Sequence, residues 1–365
     1  NLSLNASGFS TNSVTEDFNG LSRVAGAIDM GAFEVASTTL DAAVKSIQVG
    51  SGAFCAGTQS VVASIANNGT TRLNSLVVNW SIDGVVQTPI NYNTLIDTIG
   101  ATAGNSVQIP LVNYTFVNGV AVEFLVWTSA PNASTDLYAL NDTMAITVGA
   151  GMAGAIAINP NLPATATNYL SFSDFCEYIN LSGVCGPVNV TVAAGNYTEN
   201  ISLRNVAGIS ATNTITIDGL DSSTTILNYN GNGLGMGVIS LQGVDYVTIK
   251  NLGLIHTGSS NAAGIVMADA NYNTVSNCDI QVNNSSTSST INGIVTSGSI
   301  FSLSTEAYTD RNEYSNNKIA GGYYGYREYG SVSKAVIGSR LINNSFSDIY
   351  YYGIYAYYSD SLEVI

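Results

Sequence analysis

Four short stretches in the second half of the chain share one pattern. They read VTIKNLGL, TVSNCDI, EYSNNKI and RLINNSF. In each, an apolar residue is followed by Asn two positions on and by a second apolar residue three further. The sets are Ile249/Asn251/Leu254, Val275/Asn277/Ile280, Tyr314/Asn316/Ile319 and Leu341/Asn343/Phe346, with asparagine spacings of 26, 39 and 27. A period in the twenties is one coil of a solenoid. The residues around it are strand formers, so each coil consists of short strands. Equivalent residues of successive coils then stack about 4.8 Å apart. Asn251, Asn277, Asn316 and Asn343 are expected at corners, because Asn tolerates the left-handed region. Their amides are expected to bond from coil to coil as a ladder. The interval of 39 residues has room for a bulging loop at SLSTEAYTD, 302–310.

Composition agrees. Charged residues are 10% of the chain and hydrophobic residues 45%. That is too apolar for disorder and too poor in Lys, Glu and Ala for a helical protein. The net charge is −15, with ten Lys plus Arg. A phosphate backbone needs clustered cations, so no nucleic-acid partner is expected. No apolar run reaches the roughly 18 residues of a membrane span, so no membrane insertion is expected. No signal peptide is visible. A secreted protein of this sequence is then a mature chain or an internal piece.

Three segments follow one another. Residues 1–36 are Asn-, Ser- and Gly-rich and close on RVAGAIDMGAFEV, which reads as the end of a domain. Residues 37–150 carry some seven strand signals, among them LNSLVVNWSIDGVVQ with Leu76, Val78, Trp80 and Ile82 on one face. Asp83-Gly84 is a two-residue hairpin turn. This spacing fits an immunoglobulin-like sandwich, with Trp80 or Trp127 as its core aromatic. Residues 151–365 open with a short helix. Ser171 stands as its N-cap, and Phe172, Phe175, Cys176 and Ile179 form one apolar face. The solenoid coils follow, and the chain stops at Ile365 inside a coil. Cys176 and Cys185 are close neighbours and could pair as a disulfide, while Cys55 and Cys278 stand far apart.

The third segment resembles the parallel β-helix (pectin-lyase-like) domains of very large surface proteins of Bacteroidota. INPNLPATATNYLSFSDFCEYIN, GPVNVTVAAGNYTENI and ATNTITIDG carry the resemblance to the opening of such a domain. SRVAGAIDMGAFEV is similar to the end of one, and the middle segment resembles the immunoglobulin-like modules set between them. The resemblance implies an all-β chain: the end of one β-helix at 1–36, a sandwich at 37–150, and the cap and first coils of a second, right-handed β-helix at 151–365. It implies an extracellular, cell-surface adhesin or gliding-type filament exported by the type IX system. Asp-Thr-Met at Thr143 and Asp-Ser-Leu at Ser361 are similar to the O-glycosylation signal of that group. Partners are then further segments of one long chain, or identical subunits stacked head to tail.

For chemistry, the β-helix class includes polysaccharide lyases and hydrolases. A hydrolase needs two carboxylates on adjacent coils. The acids of 220–365 are scattered, with no pair recurring at coil spacing, so the chain reads as a non-enzyme. The single His256 reads as a turn histidine rather than a base. Asp218 and Asp221 read as turn residues, with a structural calcium ion as the alternative. No metal and no cofactor are otherwise expected. GGYYGYREYG and DIYYYGIYAYYSD concentrate tyrosine. Half of these are expected to pack inward. Tyr323, Tyr324, Tyr326, Tyr351, Tyr355 and Tyr357 are the candidates for a strip that stacks on surface glycans. The main expectation is a structural rod for attachment or gliding. The alternative is a polysaccharide-active β-helix or a carbohydrate-binding module that uses the tyrosine face.

Overall fold

The computed structural model describes residues 39–98, 104–231 and 236–365. The segment read as the end of a preceding β-helix, 1–36, lies outside them. By internal contacts the chain divides into two compact units. Among the described residues one comprises 39–48, 62–98, 104–111 and 123–146, the other 49–61, 112–122, 147–231 and 236–365. Among the described residues no helix is long and apolar enough to cross a membrane.

The first unit is built on antiparallel pairing. Leu76–Ile82 pairs with Ala121–Ser129 and folds back on Val85–Val86 through the Asp83-Gly84 turn. Both turn residues have positive φ, 46° and 76°, as a two-residue hairpin requires. Alternation buries Leu76, Val78 and Trp80 with Phe124 and Val126. Trp80 is the core aromatic, and its indole N–H donates to the Thr88 carbonyl at 3.1 Å.

The second unit is a parallel β-helix. Its three main sheets have nine, six and six strands, which follow one another coil by coil in sequence order except that Asn168–Tyr169 forms the edge of the first, beside Met152–Ile158. Three inward ladders fill it. On the first face Ile217, Ile249, Val275, Tyr314 and Leu341 are in register. On the second face the ladder is Tyr197, Leu227, Leu254, Ile280, Ile319 and Phe346. On the third it is Ile201, Ile239, Ile265, Ile294, Tyr326 and Ile354. Each fully buried Ile or Leu contributes roughly 2 kcal/mol of apolar transfer. The sequence repeat is thereby explained. Its first apolar residue belongs to the first ladder, its last to the second, and Asn turns the corner between them.

Asn251, Asn277, Asn316 and Asn343 all stand in the left-handed region, with φ between 51° and 57°. Their backbone N–H groups bond the next coil: Asn277 to Ser315 at 3.1 Å and Asn316 to Ile342 at 2.9 Å. The expected side-chain ladder among these four is corrected. Asn251 donates instead to Asp218, and the amide-to-amide bonds run through other positions. Asn317 donates to Asn344 at 3.0 Å, one residue past the corner. The Asn273 backbone N–H donates to the Asn312 side chain at 2.8 Å. A left-handed corner residue points its side chain out of the coil, whereas the following residue reaches the inter-coil seam.

The helix runs Phe172–Ser182, with the Ser171 hydroxyl accepting from the Asp174 N–H at 3.0 Å. Phe172, Phe175 and Ile179 are fully buried against the β-helix core. It ends at Gly183, φ 70°, where a Cβ would stand 2.3 Å from the Ala207 carbonyl oxygen. The residues beyond the regular coil length fall in the connection 298–312, where the long interval placed them.

The expected Cys176–Cys185 bridge is corrected. Cys185 is bonded to Cys55, with Cα atoms 5.3 Å apart, and Cys176 and Cys278 are free and buried. Helical period puts Cys176 on the inward face with Phe172 and Ile179, while Cys185 lies in the strand Val184–Val192 beyond the Gly183 corner. Burial pushes the thiols of Cys176 and Cys278 up to about 12. Denaturation without reductant should therefore expose two reactive thiols, and peptide mapping should link Cys55 to Cys185. A Cys176–Cys185 peptide would contradict this arrangement. Asn316→Ala should cost about 1 kcal/mol in denaturant unfolding through its left-handed corner. Asn316→Gly should cost less than the Ala variant.

Candidate aromatic binding face

The outer side of the third sheet changes character along the rod. Side chains next to the inward ladder point outward. In the earlier coils these are Val266 and Val295, and both are buried beneath Ile300 and Leu303 of the 298–312 connection. Past that cover the outward residues are polar aromatics and one cation. Register sets Arg327 beside Val295, Tyr355 beside Arg327, and Tyr357 beside Tyr329.

These residues form one continuous patch. Tyr355 and Tyr357 are near-parallel at 9°, with centroids 6.4 Å apart, and Tyr329 stacks on Tyr357 at 5.2 Å. Tyr324 stands 5.1 Å from Tyr355. At the corner Tyr323 contacts Tyr351 at 5.0 Å and Tyr350 at 5.4 Å. The Arg327 guanidinium lies 5.2 Å from the Tyr324 ring and 5.1 Å from the Tyr329 ring. One of its N–H groups donates to the Leu303 carbonyl at 3.2 Å, tying the patch to the covering connection. Tyr351 is 55% and Tyr357 40% exposed, so the patch keeps ring surface in water. The Tyr357 phenol is held above its usual value, chiefly by its hydrogen bond with Tyr358, and the Tyr352 phenol likewise by Tyr351. Both remain neutral hydroxyls at physiological pH.

Of the six tyrosines expected in the strip, the structure brings together Tyr323, Tyr324, Tyr351, Tyr355 and Tyr357. Tyr326 is corrected. It belongs to the third inward ladder between Ile294 and Ile354, is fully buried, and donates its hydroxyl to Glu328. Burial, more than the neighbouring Glu328, raises the Tyr326 phenol well above its ordinary value. Sequence reasoning missed Tyr329, Tyr350, Tyr352 and Arg327. The alternation that sends Tyr326 inward is the signal that would have placed Tyr329 and Arg327 outside.

The other candidate residues are elsewhere. Thr143 and Ser361 are both exposed, and the Ser361 hydroxyl donates to Asp360 at 3.1 Å. Asp218 is ion-paired with Lys250 at 2.9 Å and also accepts from Asn251. Asp221 accepts from the Ser223 backbone and hydroxyl, both at 2.8 Å. Both carboxylates are thus engaged within the fold, and among the described residues no group of three His, Cys, Asp or Glu is placed to hold a metal. His256 is not a surface turn residue as expected but 1% exposed. It follows the second inward ladder, its ring edge-on to Tyr229 at 5.3 Å. Its Nδ1 accepts from the Gly258 N–H at 3.1 Å, which places the proton on Nε2.

No protein-family model matches the sequence. No curated protein matches it. Solved structures do. The catalytic domain of a GH87 alpha-1,3-glucanase in complex with nigerose is similar over 90% of this chain and 69% of its own, at 13% identity and a TM-score of 0.31. A pectin methyl esterase of the rice weevil is similar over 53% of this chain and 67% of its own, at 12% identity and a TM-score of 0.34. A CARDB domain from Pyrococcus furiosus, in complex with di-metal ions, is similar over 32% of this chain and 94% of its own, at 13% identity and a TM-score of 0.26. The expectation of a non-enzyme is corrected by these neighbours, two of which are enzymes of carbohydrate chemistry by name. At such scores the likeness assigns no reaction to this chain. The parallel β-helix stands on its own strand register, while nothing in these likenesses points to an adhesin.

His256 supplies a pH test of the fold. Burial, opposed by the Met236 carbonyl, lowers its imidazole from 6.5 to about 4. Below pH 6.5 the unfolded chain takes up a proton that the folded chain refuses until about pH 4. Stability should therefore fall as pH drops through that window, by on the order of 3 kcal/mol in all. Denaturant unfolding of the wild type and His256→Phe across pH 7 to 4 measures this. The variant should lose that share of the slope, and identical slopes would contradict the buried neutral imidazole.

Proposed function

We propose that the β-helix binds a neutral polysaccharide on its exposed tyrosine face, in an extracellular setting. The observation that carries this is the patch of Tyr323, Tyr324, Tyr351, Tyr355 and Tyr357 around Arg327, gathered from two successive coils with ring surface exposed. Flat aromatic faces stack on the apolar faces of sugar rings, while phenol and guanidinium donors bond the hydroxyls at their rims. Tyrosine is suited to this because it offers large area with two side-chain torsions to fix. Register turns Tyr326 inward and leaves Tyr355 and Tyr357 on the outer side. The disulfide between Cys55 and Cys185 suits an oxidising compartment, which supports the extracellular setting. The net charge of −15 disfavours acidic polysaccharides. Attachment to glycans as part of a surface protein is the finer role we assign to this face.

A panel of insoluble and soluble polysaccharides, with α-1,3-glucan and pectin among them, tests the reading by pull-down and calorimetry. Tyr351→Ala/Tyr355→Ala should weaken binding of the neutral members roughly tenfold or more, at about 0.5–1.5 kcal/mol per aromatic contact. Its thermal unfolding should stay close to wild type, since both residues lie outside the core. Unchanged affinity in the double variant would sink the proposal.

A further inference from the structure

A second feature runs beside the tyrosine face. Where each coil leaves the second sheet, the side chains do not close over the backbone, and a furrow follows the coils. Its larger part is a cleft of about 430 Å³ lined by residues that include His256, Gln281, Asn283, Asn284, Gly321 and Asp348. A second part, of about 380 Å³, lies at the same position of the earlier coils and includes Glu199, Asn200, Asn228, Tyr229 and Asn230. Register joins them. Asn228 pairs with Ile255, Ile255 with Gln281, and Gln281 with Ala320. Tyr229, in one wall, pairs with His256, in the other.

The furrow leads to the aromatic patch. Gly321 precedes Tyr323 by two residues, and Asp348 precedes Tyr350 by two. The backbone carries this junction, since the Tyr351 N–H bonds the Tyr323 carbonyl at 3.1 Å and the Tyr350 N–H bonds that of Gly322 at 2.9 Å. Gly321 has φ 80°, and a Cβ there would stand 2.1 Å from the Val282 carbonyl oxygen, so the wall at this point is bare backbone.

The lining has one consistent chemistry. Amides recur in both parts, with carboxylates at Glu199 and Asp348, and neither part is lined by Lys or Arg. Among the described residues the Asp348 carboxylate has no hydrogen bond or ion pair. Amide donors and acceptors beside carboxylates, of which Glu199 accepts from the Ser173 backbone and hydroxyl at 2.9 Å, bind hydroxyls and repel anions. Equivalent side chains recur at about 4.8 Å along the rod, a repeat suited to a chain molecule lying along it rather than a compact ligand.

We infer that this furrow is an extended subsite for one strand of an uncharged, hydroxyl-rich polysaccharide, which continues from the amide-lined cleft onto the tyrosine patch. This rests on the reading of the tyrosine face as glycan-binding and adds the direction and length of the bound chain. Gln281 is the handle for a test, being exposed on the outer side of the second sheet. Short and long oligosaccharides of a neutral glucan that binds the wild type, with an oligogalacturonate as the acidic control, are titrated by calorimetry.

Wild-type affinity should rise about tenfold from short to long oligomers, and the acidic control should bind weakly. Gln281→Trp, which fills the cleft, should abolish the gain with length and leave short-oligomer affinity unchanged. Asn283→Ala should reduce the same gain without filling space. Tyr351→Ala/Tyr355→Ala should instead weaken all lengths together. A length gain that survives Gln281→Trp overturns the furrow while leaving the tyrosine face intact. Failure of every neutral glucan to bind the wild type overturns both readings, and tighter binding of the acidic control overturns the assigned ligand class.

Discussion

Inter-coil register is the constraint on which the rest of the second unit depends. Parallel strands of successive coils bond backbone to backbone, and a slip of one residue would send every inward side chain to the surface. The register is fixed twice in each coil. Inward Ile, Leu, Val and Tyr stack in three ladders, and left-handed asparagines set where each coil turns. Because neighbouring coils share one register, an outward residue on one coil is neighbour to the outward residue on the next. Two strands with Tyr or Arg at outward positions suffice to make a surface of stacked rings.

The cover over the third sheet defines where that surface begins. Ile300 and Leu303, in the connection 298–312, bury Val266 and Val295. Arg327 marks the edge, bonded to the Leu303 carbonyl on one side and lying against Tyr324 and Tyr329 on the other. An apolar outer face is thus capped by apolar residues, and the uncapped coils carry tyrosine, whose ring and hydroxyl suit a surface that is wet until occupied. The furrow after the second sheet is the polar counterpart. Together they present hydrogen-bonding amides and stacking rings in sequence along one rod, the two kinds of contact that a sugar chain offers.

Much of the β-helix was legible in the sequence because its physics is local and periodic. The repeat around Asn251, Asn277, Asn316 and Asn343 records one corner flanked by two inward residues. The Ser171 cap and the apolar face from Phe172 to Ile179 record the helix. Three features were not legible for definite reasons. Cys185 pairs with Cys55, 130 residues away, and no local spacing encodes such a partner. Tyr326 looks like its neighbours in GGYYGYREYG, and only the register with Ile294 and Ile354 sends it inward. His256 is buried by the Tyr229 and Val282 of adjoining coils, neither of which is near it in sequence.

The central claim is that coil register, having placed Tyr326 inside and Tyr355 and Tyr357 outside, creates a surface for sugar rings. A crystal structure of the protein with a neutral glucan oligosaccharide tests it most directly. The account predicts sugar rings lying flat on Tyr355 and Tyr357, with Arg327 and the phenol hydroxyls bonding their rims and Tyr326 sealed beneath. An oligosaccharide bound on another face of the rod, with these tyrosines bare, would contradict it.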